Sequence, residues 1–315
     1  MLIQLLTRTA TLLLSLAVAS ILIFAFMNVL PGDPAEVALG VGATPEQVAE
    51  LQVRYGTDRP LATQYLDWVA GLPQGDFGTS FVTGAAIGPQ IVDRFLVTLW
   101  LVGAGMVIAL VIAVPLGTFA AVRHRHPDGV LLAGVSQVGI AVPNFLAGIL
   151  LIGLVSVQWQ LLPSGGWVPP AQDPVEFARR LILPALSLGL VEGAVLARYV
   201  RSTVLNVLRE DFLRTARSKG LRPYQALVRH GLRNAAIPVV TVLGLQLAVL
   251  LVGAVVVERV FVLPGLGSLL LDGVANRDLL LVQGVVMVLV LAVLVVNYLV
   301  DVLYTVLDPR LRAVA

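Results

Sequence analysis

Glu192 is the residue whose chemistry most needs an explanation, because it lies near the middle of an apolar run, residues 181–205, long enough to cross a bilayer. A charge at that depth is costly, so the carboxylate is expected to be paired, protonated or open to water along a path. Arg198 is six residues on and only roughly on the same side, which directs the search for a partner to another helix. Gln246 in a later apolar run is a weaker polar residue of the same kind. Pro143 and Asn144 interrupt an earlier run, as do Ser136 and Gln137. Pro143, Asn144, Glu192 and Gln246 are therefore read as candidate lining of a path, with a simple kink, its freed carbonyls satisfied by Asn144, equally open for the first two.

Catalytic chemistry finds no residues to carry it. A phosphate-binding loop needs Gly-x-x-x-x-Gly-Lys followed by Ser or Thr, and the single lysine, Lys219, precedes Gly220 instead. There is no His-Glu-x-x-His and no Gly-x-Ser-x-Gly in a strand-to-helix setting. His124 and His126 are two apart but flanked by arginines with no third ligand near, so they are read as part of a basic turn, and no metal is expected. Cysteine is absent, which removes disulfide and thiolate chemistry.

The other chemistry-bearing stretch is Arg209 to Pro238, polar and strongly basic in an otherwise apolar second half. Leu205, Leu208, Phe212 and Ala216 recur at helical spacing, which predicts a helix running on from the preceding span as far as Lys219. Glu210 is placed to pair with Arg214. Arg214, Arg217 and Lys219 before Gly220 form a helix stop, and Pro223 suits the first turn of a second helix continued by Leu227, Val228 and Leu232. Pro238 then opens a long apolar run.

The elements that must hold these residues are membrane helices. Of the 315 residues 58% are hydrophobic and 13% charged, half the charge of an ordinary soluble domain. Six runs can span a bilayer: near 9–30, 96–122, 130–157, 181–205, 236–257 and 282–306. Ala17-Val18-Ala19 mimics a signal cleavage site, but the apolar run continues to Leu30, so the first run is read as an uncleaved span. Of the 21 basic residues, 14 fall in the first residues, 123–128, 198–233 and the last residues, and the rest are interleaved with acids in the alternate loops. The positive-inside rule therefore puts both termini and the 198–233 loop in the cytoplasm. A net charge of +2 gives no reason to expect nucleic acid.

The segment from Pro31 to Arg94 is then external and opens on the breakers Pro31-Gly32-Asp33-Pro34. Thr44-Pro45-Glu46 predicts a short helix over 45–55. Tyr65 and Trp68 share a helical face and are read either as interfacial anchors or as a partner-facing surface, and Phe77 likewise. Pro184 is read as a first-turn proline of the fourth span.

Ala216, Gly220, Arg233, Asn234 and Pro238 resemble the cytoplasmic "EAA" loop of ABC importer permeases, in the form found in B-type dipeptide, oligopeptide and nickel permeases. Thr215 stands where that loop has its acid and Arg217 where it has its second alanine. Gly56-Thr57-Asp58-Arg59-Pro60, Gln64-Tyr65, Trp68, Gly75 to Ser80, Arg94, Thr98-Leu99 and Val260-Phe261-x-x-Pro264-Gly265-Leu266-Gly267 extend the resemblance over nearly the whole chain.

The resemblance implies an all-α integral membrane protein of six transmembrane helices. Its parts would be a first helix (1–30), a structured external segment (31–94), a MetI-like five-helix permease core (95–307) carrying the loop 209–234, and a cytoplasmic tail (308–315). It also implies a non-enzymatic permease subunit in the cell membrane, forming half of a path for short peptides. The expected partners are a homologous second permease, two ATPase subunits, an extracytoplasmic substrate-binding protein and membrane lipid. No cofactor is expected on this chain, ATP and Mg being expected in the ATPase subunits. In the loop, Asp211, Leu213, Arg214, Ala216, Arg217, Gly220, Leu221 and Arg222 would meet an ATPase. Nickel chelates or another small solute remain alternatives, as does a self-sufficient carrier or channel, although no internal repeat of the kind such carriers show is evident.

Overall fold

The computed structural model describes residues 2–29, 34–40 and 42–307. The breakers at 31–33 and the tail 308–315 lie outside the described residues. Those described are nearly all helical, and the β pairing among them amounts to one isolated bridge, Thr79 with Ala86.

Among the described residues five helices are long and apolar enough to cross a membrane: α1 (Leu2–Val29), α5 (Ile87–Val122), α8 (Pro174–Leu208), α11 (Leu232–Val260) and α13 (Leu279–Leu307). Between α1 and α5 come α2 (Pro34–Leu39), α3 (Pro45–Tyr55) and α4 (Leu61–Gly71). The third apolar run is not one straight span: α6 (Pro127–Ala141) and α7 (Asn144–Leu151), extended by a π segment Ile152–Gln158, meet at 99° and make a sixth span only when counted as one bent pair. The cause is local, since Pro143 lacks an N–H and disfavours helix at the residue before it, and Val142 is extended at φ −87° and ψ 120°.

Two other prolines sit deeper in their helices than the sequence suggests. Asp173 caps α8 by accepting from the amides of Val175 (2.9 Å) and Glu176 (3.0 Å), so the helix starts at Pro174 and Pro184 is interior. Pro238 is likewise inside α11.

The chain forms two compact units. Among the described residues the first gathers 2–6, 99–263 and 296–307 around α8, whose most apolar stretch is 61% buried, against 39% or less for the other four spans. Helix α5 approaches it closely at Gly117, where a Cβ would stand 2.6 Å from the Ala197 carbonyl oxygen. Trp100 and Trp167 pack edge-on against Phe177 near the start of α8, with ring centroids 5.3 and 5.2 Å away.

The second unit gathers the described residues of 7–98 and 264–295. Thr44 and Gln47 form a reciprocal capping box at the start of α3, which runs over 45–55 as its sequence predicts. Tyr65 and Trp68 of α4 turn onto α1: the Tyr65 hydroxyl shares a 2.9 Å hydrogen bond with Ser20, and both rings pack on Phe24. Trp68 is 8% exposed and Tyr65 is half-buried, so the two anchor the unit's own first helix. A helix that the sequence reading passed over, α12 (Leu266–Ala275), packs with Ile87, Ile91, Leu281 and Val285. Thr98 Oγ1 accepts from the Leu266 amide at 2.9 Å. Buried Asp278 accepts from the Ser80 hydroxyl, from the Phe81 amide (3.3 Å) and from the Leu281 amide (3.4 Å), tying the 80–81 turn to the start of α13.

Candidate functional site

Glu192, 3% exposed, finds its partner on another helix, where Gln246 of α11 donates an Nε2 hydrogen to Oε1. The bond uses one of two carboxylate oxygens and brings no compensating positive charge. Asn144 of α7 meets α8 and α11 at a different level. Gly253 of α11 leaves room for its amide, since a Cβ there would lie 2.7 Å from Asn144 Nδ2, and Leu188 of α8 is beside the same glycine at 3.6 Å. Gly253 is seven residues from Gln246, about 10 Å of helical rise. Pro143 is exposed at the bend. The structure therefore joins Glu192 to Gln246, sets Asn144 about two turns along α11 from Gln246, and leaves Pro143 a determinant of backbone direction.

The basic segment is built differently from its sequence reading. Helix α8 stops at Leu208, Arg209 and Glu210 turn the chain, and α9 (Asp211–Ser218) starts afresh with Glu210 as its N-cap residue. Arg214 pairs with Asp211 at 3.4 Å, one helical turn back, in place of Glu210. The stop at Gly220 is as its sequence predicts. Its φ is +94°, its amide donates to the Arg217 carbonyl (2.9 Å), and the Leu221 amide reaches the Ala216 carbonyl (3.3 Å). These two bonds make a Schellman motif, in which glycine supplies the left-handed residue. A short helix α10 (Pro223–Ala226) follows and passes through a π segment, Leu227–Gly231, into α11.

Leu213 requires a correction. It is 2% exposed and packs with Val200, Val204, Val207, Ala226 and Leu227, so it belongs to the chain's own core and offers nothing to a partner. Ala216 and Leu221 pack at the edge of the same cluster. Of the residues expected to meet an ATPase, Asp211, Arg214, Arg217, Gly220 and Arg222 are exposed, and so are two aromatics that sequence reasoning missed, Phe212 at 38% and Tyr224 at 67%. The acids Glu210 and Asp211 at a helix start were the available signal, because a new α9 rotates Phe212 out of the stripe it would share with Leu208.

The turn 123–126 is explained without a metal. Arg123 pairs with Asp128 at 2.6 Å, and His124 Nδ1 lies 2.9 Å from the Ala121 carbonyl oxygen.

Residues 113–313 match the family described as the inner membrane component of binding-protein-dependent transport systems, and residues 1–102 match the N-terminal part of such membrane components. The chain is 40% identical over 308 residues to the glutathione transport system permease protein GsiC of Salmonella choleraesuis, covering 98% of both chains. It is 40% identical over 306 residues to GsiC of Escherichia coli K12, covering 97% of both. Among solved structures, an inward-facing MetNI methionine ABC transporter matches with a TM-score of 0.57 at 17% identity, over 69% of this chain and 96% of that one. An amino acid ABC transporter matches at 0.51 and 17% identity, over 69% and 93%. At such identities these two likenesses speak for the fold.

Proposed function

We propose a substrate and a coupling route for a chain that belongs to the family of binding-protein-dependent transport system inner membrane components and is a permease subunit of an ABC importer. The substrate is a short peptide of the size of glutathione. One observation carries this reading, identity of 40–41% sustained over 97–98% of the chain with permeases named for glutathione transport. In the same reading the subunit sits in the inner membrane with both termini and residues 209–234 in the cytoplasm. It pairs with a homologous permease, receives peptide from an external binding protein, and is driven by two ATPase subunits that hold the ATP and Mg.

The coupling surface is α9, the Gly220 turn and α10. Asp211, Arg214, Arg217 and Arg222 present charge, and Phe212 and Tyr224 present apolar area on a segment whose underside is fixed by Leu213. Glu192 and Gln246 fasten α8 to α11 and, with Asn144, form the polar part of this subunit's wall of the path, at the bend that Pro143 sets.

The test is uptake by the reconstituted complex with its cognate binding protein. Labelled glutathione and dipeptides are expected to accumulate only with ATP and binding protein present. Uptake of nickel chelate with no peptide uptake would replace the substrate assignment and leave the family intact.

A further inference from the structure

Within the first unit, α5, α6 and α8 enclose a cavity of about 230 Å³ that the function above does not use. It exists because four of its walls are small: Gly117, Ala120, Ala133 and Ala197. The remaining walls are Ser136, Gln137, Arg198 and Arg201, two neutral polar groups and two cations with no carboxylate among them. Arg201 Nε is buried without a hydrogen-bond partner, and the Arg198 guanidinium has the Tyr199 ring beneath it, 5.4 Å to the centroid. Among the described residues neither arginine is in an ion pair. A buried guanidinium N–H without an acceptor is costly, so the arrangement calls for an anion.

Depth identifies the kind of anion. Helix α8 has 35 residues and Glu192 is close to its midpoint. Arg198 and Arg201 stand six and nine residues beyond it, about 9 and 13 Å of rise, where a hydrocarbon layer about 30 Å thick gives way to headgroups. We propose that Arg198, Arg201, Ser136 and Gln137 form a phosphate-binding site for the headgroup of an anionic phospholipid, held between α5, α6 and α8. The guanidinium groups and the Gln137 amide donate to the phosphate oxygens, and the small residues admit the headgroup.

The probe is phosphatidylglycerol offered with an equal amount of phosphatidylcholine to the purified whole importer in detergent, with bound lipid read by native mass spectrometry. The wild type is expected to retain phosphatidylglycerol over phosphatidylcholine by about tenfold, as paired charge-assisted bonds allow. The double variant Arg198→Ala with Arg201→Ala is expected to fall to near parity. Ala133→Phe fills the cavity and leaves both charges in place. It is expected to lose the preference as well, whereas arginines that merely reach toward the membrane surface would keep it.

A second arm titrates delipidated complex with inorganic phosphate. Phosphate binding that the variants abolish, beside an unchanged lipid preference, would keep the oxyanion site and make its source soluble. Should Ala133→Phe and the double variant both match the wild type in both arms, the site does not exist. If the double variant fails to assemble, Arg201→Lys, which keeps the charge and removes the buried Nε, together with Ala133→Phe decides by the same two readouts. Solute uptake is not read, so an error in the assigned substrate leaves the result untouched.

Discussion

Gly220 and Glu192 are single residues whose replacement separates structure from work. At φ +94° a β-branched side chain is strained by about 1–2 kcal/mol, although no neighbouring atom would touch an added Cβ. Gly220→Val is therefore expected to leave the complex assembled while uptake falls and ATPase activity no longer responds to the loaded binding protein. Normal stimulation in that variant would remove the turn from the coupling route. Glu192→Ala strands the Gln246 amide in the membrane interior and is expected to cost about 1–3 kcal/mol, seen as a lower melting temperature in detergent. A double change of Glu192 and Gln246 to Leu removes both polar groups and is expected to restore most of that stability. If the pair lines the path, uptake stays impaired in the restored protein, and recovery of uptake would make the pair structural only.

At the scale of elements, α9 is a short helix with its inner face spent on the chain's own core. Leu213→Ala is expected to destabilise the permease by about 2–5 kcal/mol, through the cavity it opens among Val204, Val207 and Leu227. Phe212→Ala with Arg217→Glu should leave the melting temperature within a degree or two and weaken retention of the ATPase subunits on an affinity column. Equal retention would move the docking surface elsewhere.

Cap chemistry made several boundaries legible from sequence: the Thr44 box of α3, the Gly220 stop and the Pro223 start all depend on residues within one turn. The break at Arg209 and Glu210 was masked because apolar spacing runs unbroken through Leu205, Leu208 and Phe212 in the sequence, although the turn takes Phe212 out of that stripe, and only the acids at 210 and 211 marked a new helix start. The 99° bend was signalled by Pro143, but its size is set by what α6 and α7 pack against. Of the site, the need of Glu192 for a partner on another helix could be read from its depth. That Asp278 anchors Ser80 could not, because 198 residues separate them.

For the whole molecule, the described residues hold five apolar helices and one bent pair long enough to cross a membrane, and the sequence has no Gly-x-x-x-x-Gly-Lys followed by Ser or Thr. Purified alone in vesicles, the chain is expected to give no concentrative uptake; transport down or up a gradient without ATPase subunits would revive the reading as a carrier. Cysteine at position 217 is expected to react with an impermeant maleimide only in inside-out vesicles, and labelling in intact cells would reverse the orientation derived from the basic loops.

The Glu192–Gln246 bond also bears on how the protein is made. Helix α8 is the least apolar of the five spans and carries a carboxylate at its centre, which adds about 3 kcal/mol to the cost of leaving the translocon alone. Its hydrogen-bonding partner is 54 residues later in the chain, so it is still unsynthesised or in the ribosomal tunnel when α8 reaches the bilayer. Insertion of α8 is then expected to be late and conditional, with the helix waiting at the translocon until α11 arrives. Nascent chains cut before residue 232 should show α8 poorly integrated by glycosylation mapping, chains reaching residue 260 should show it integrated, and Glu192→Leu should abolish the difference.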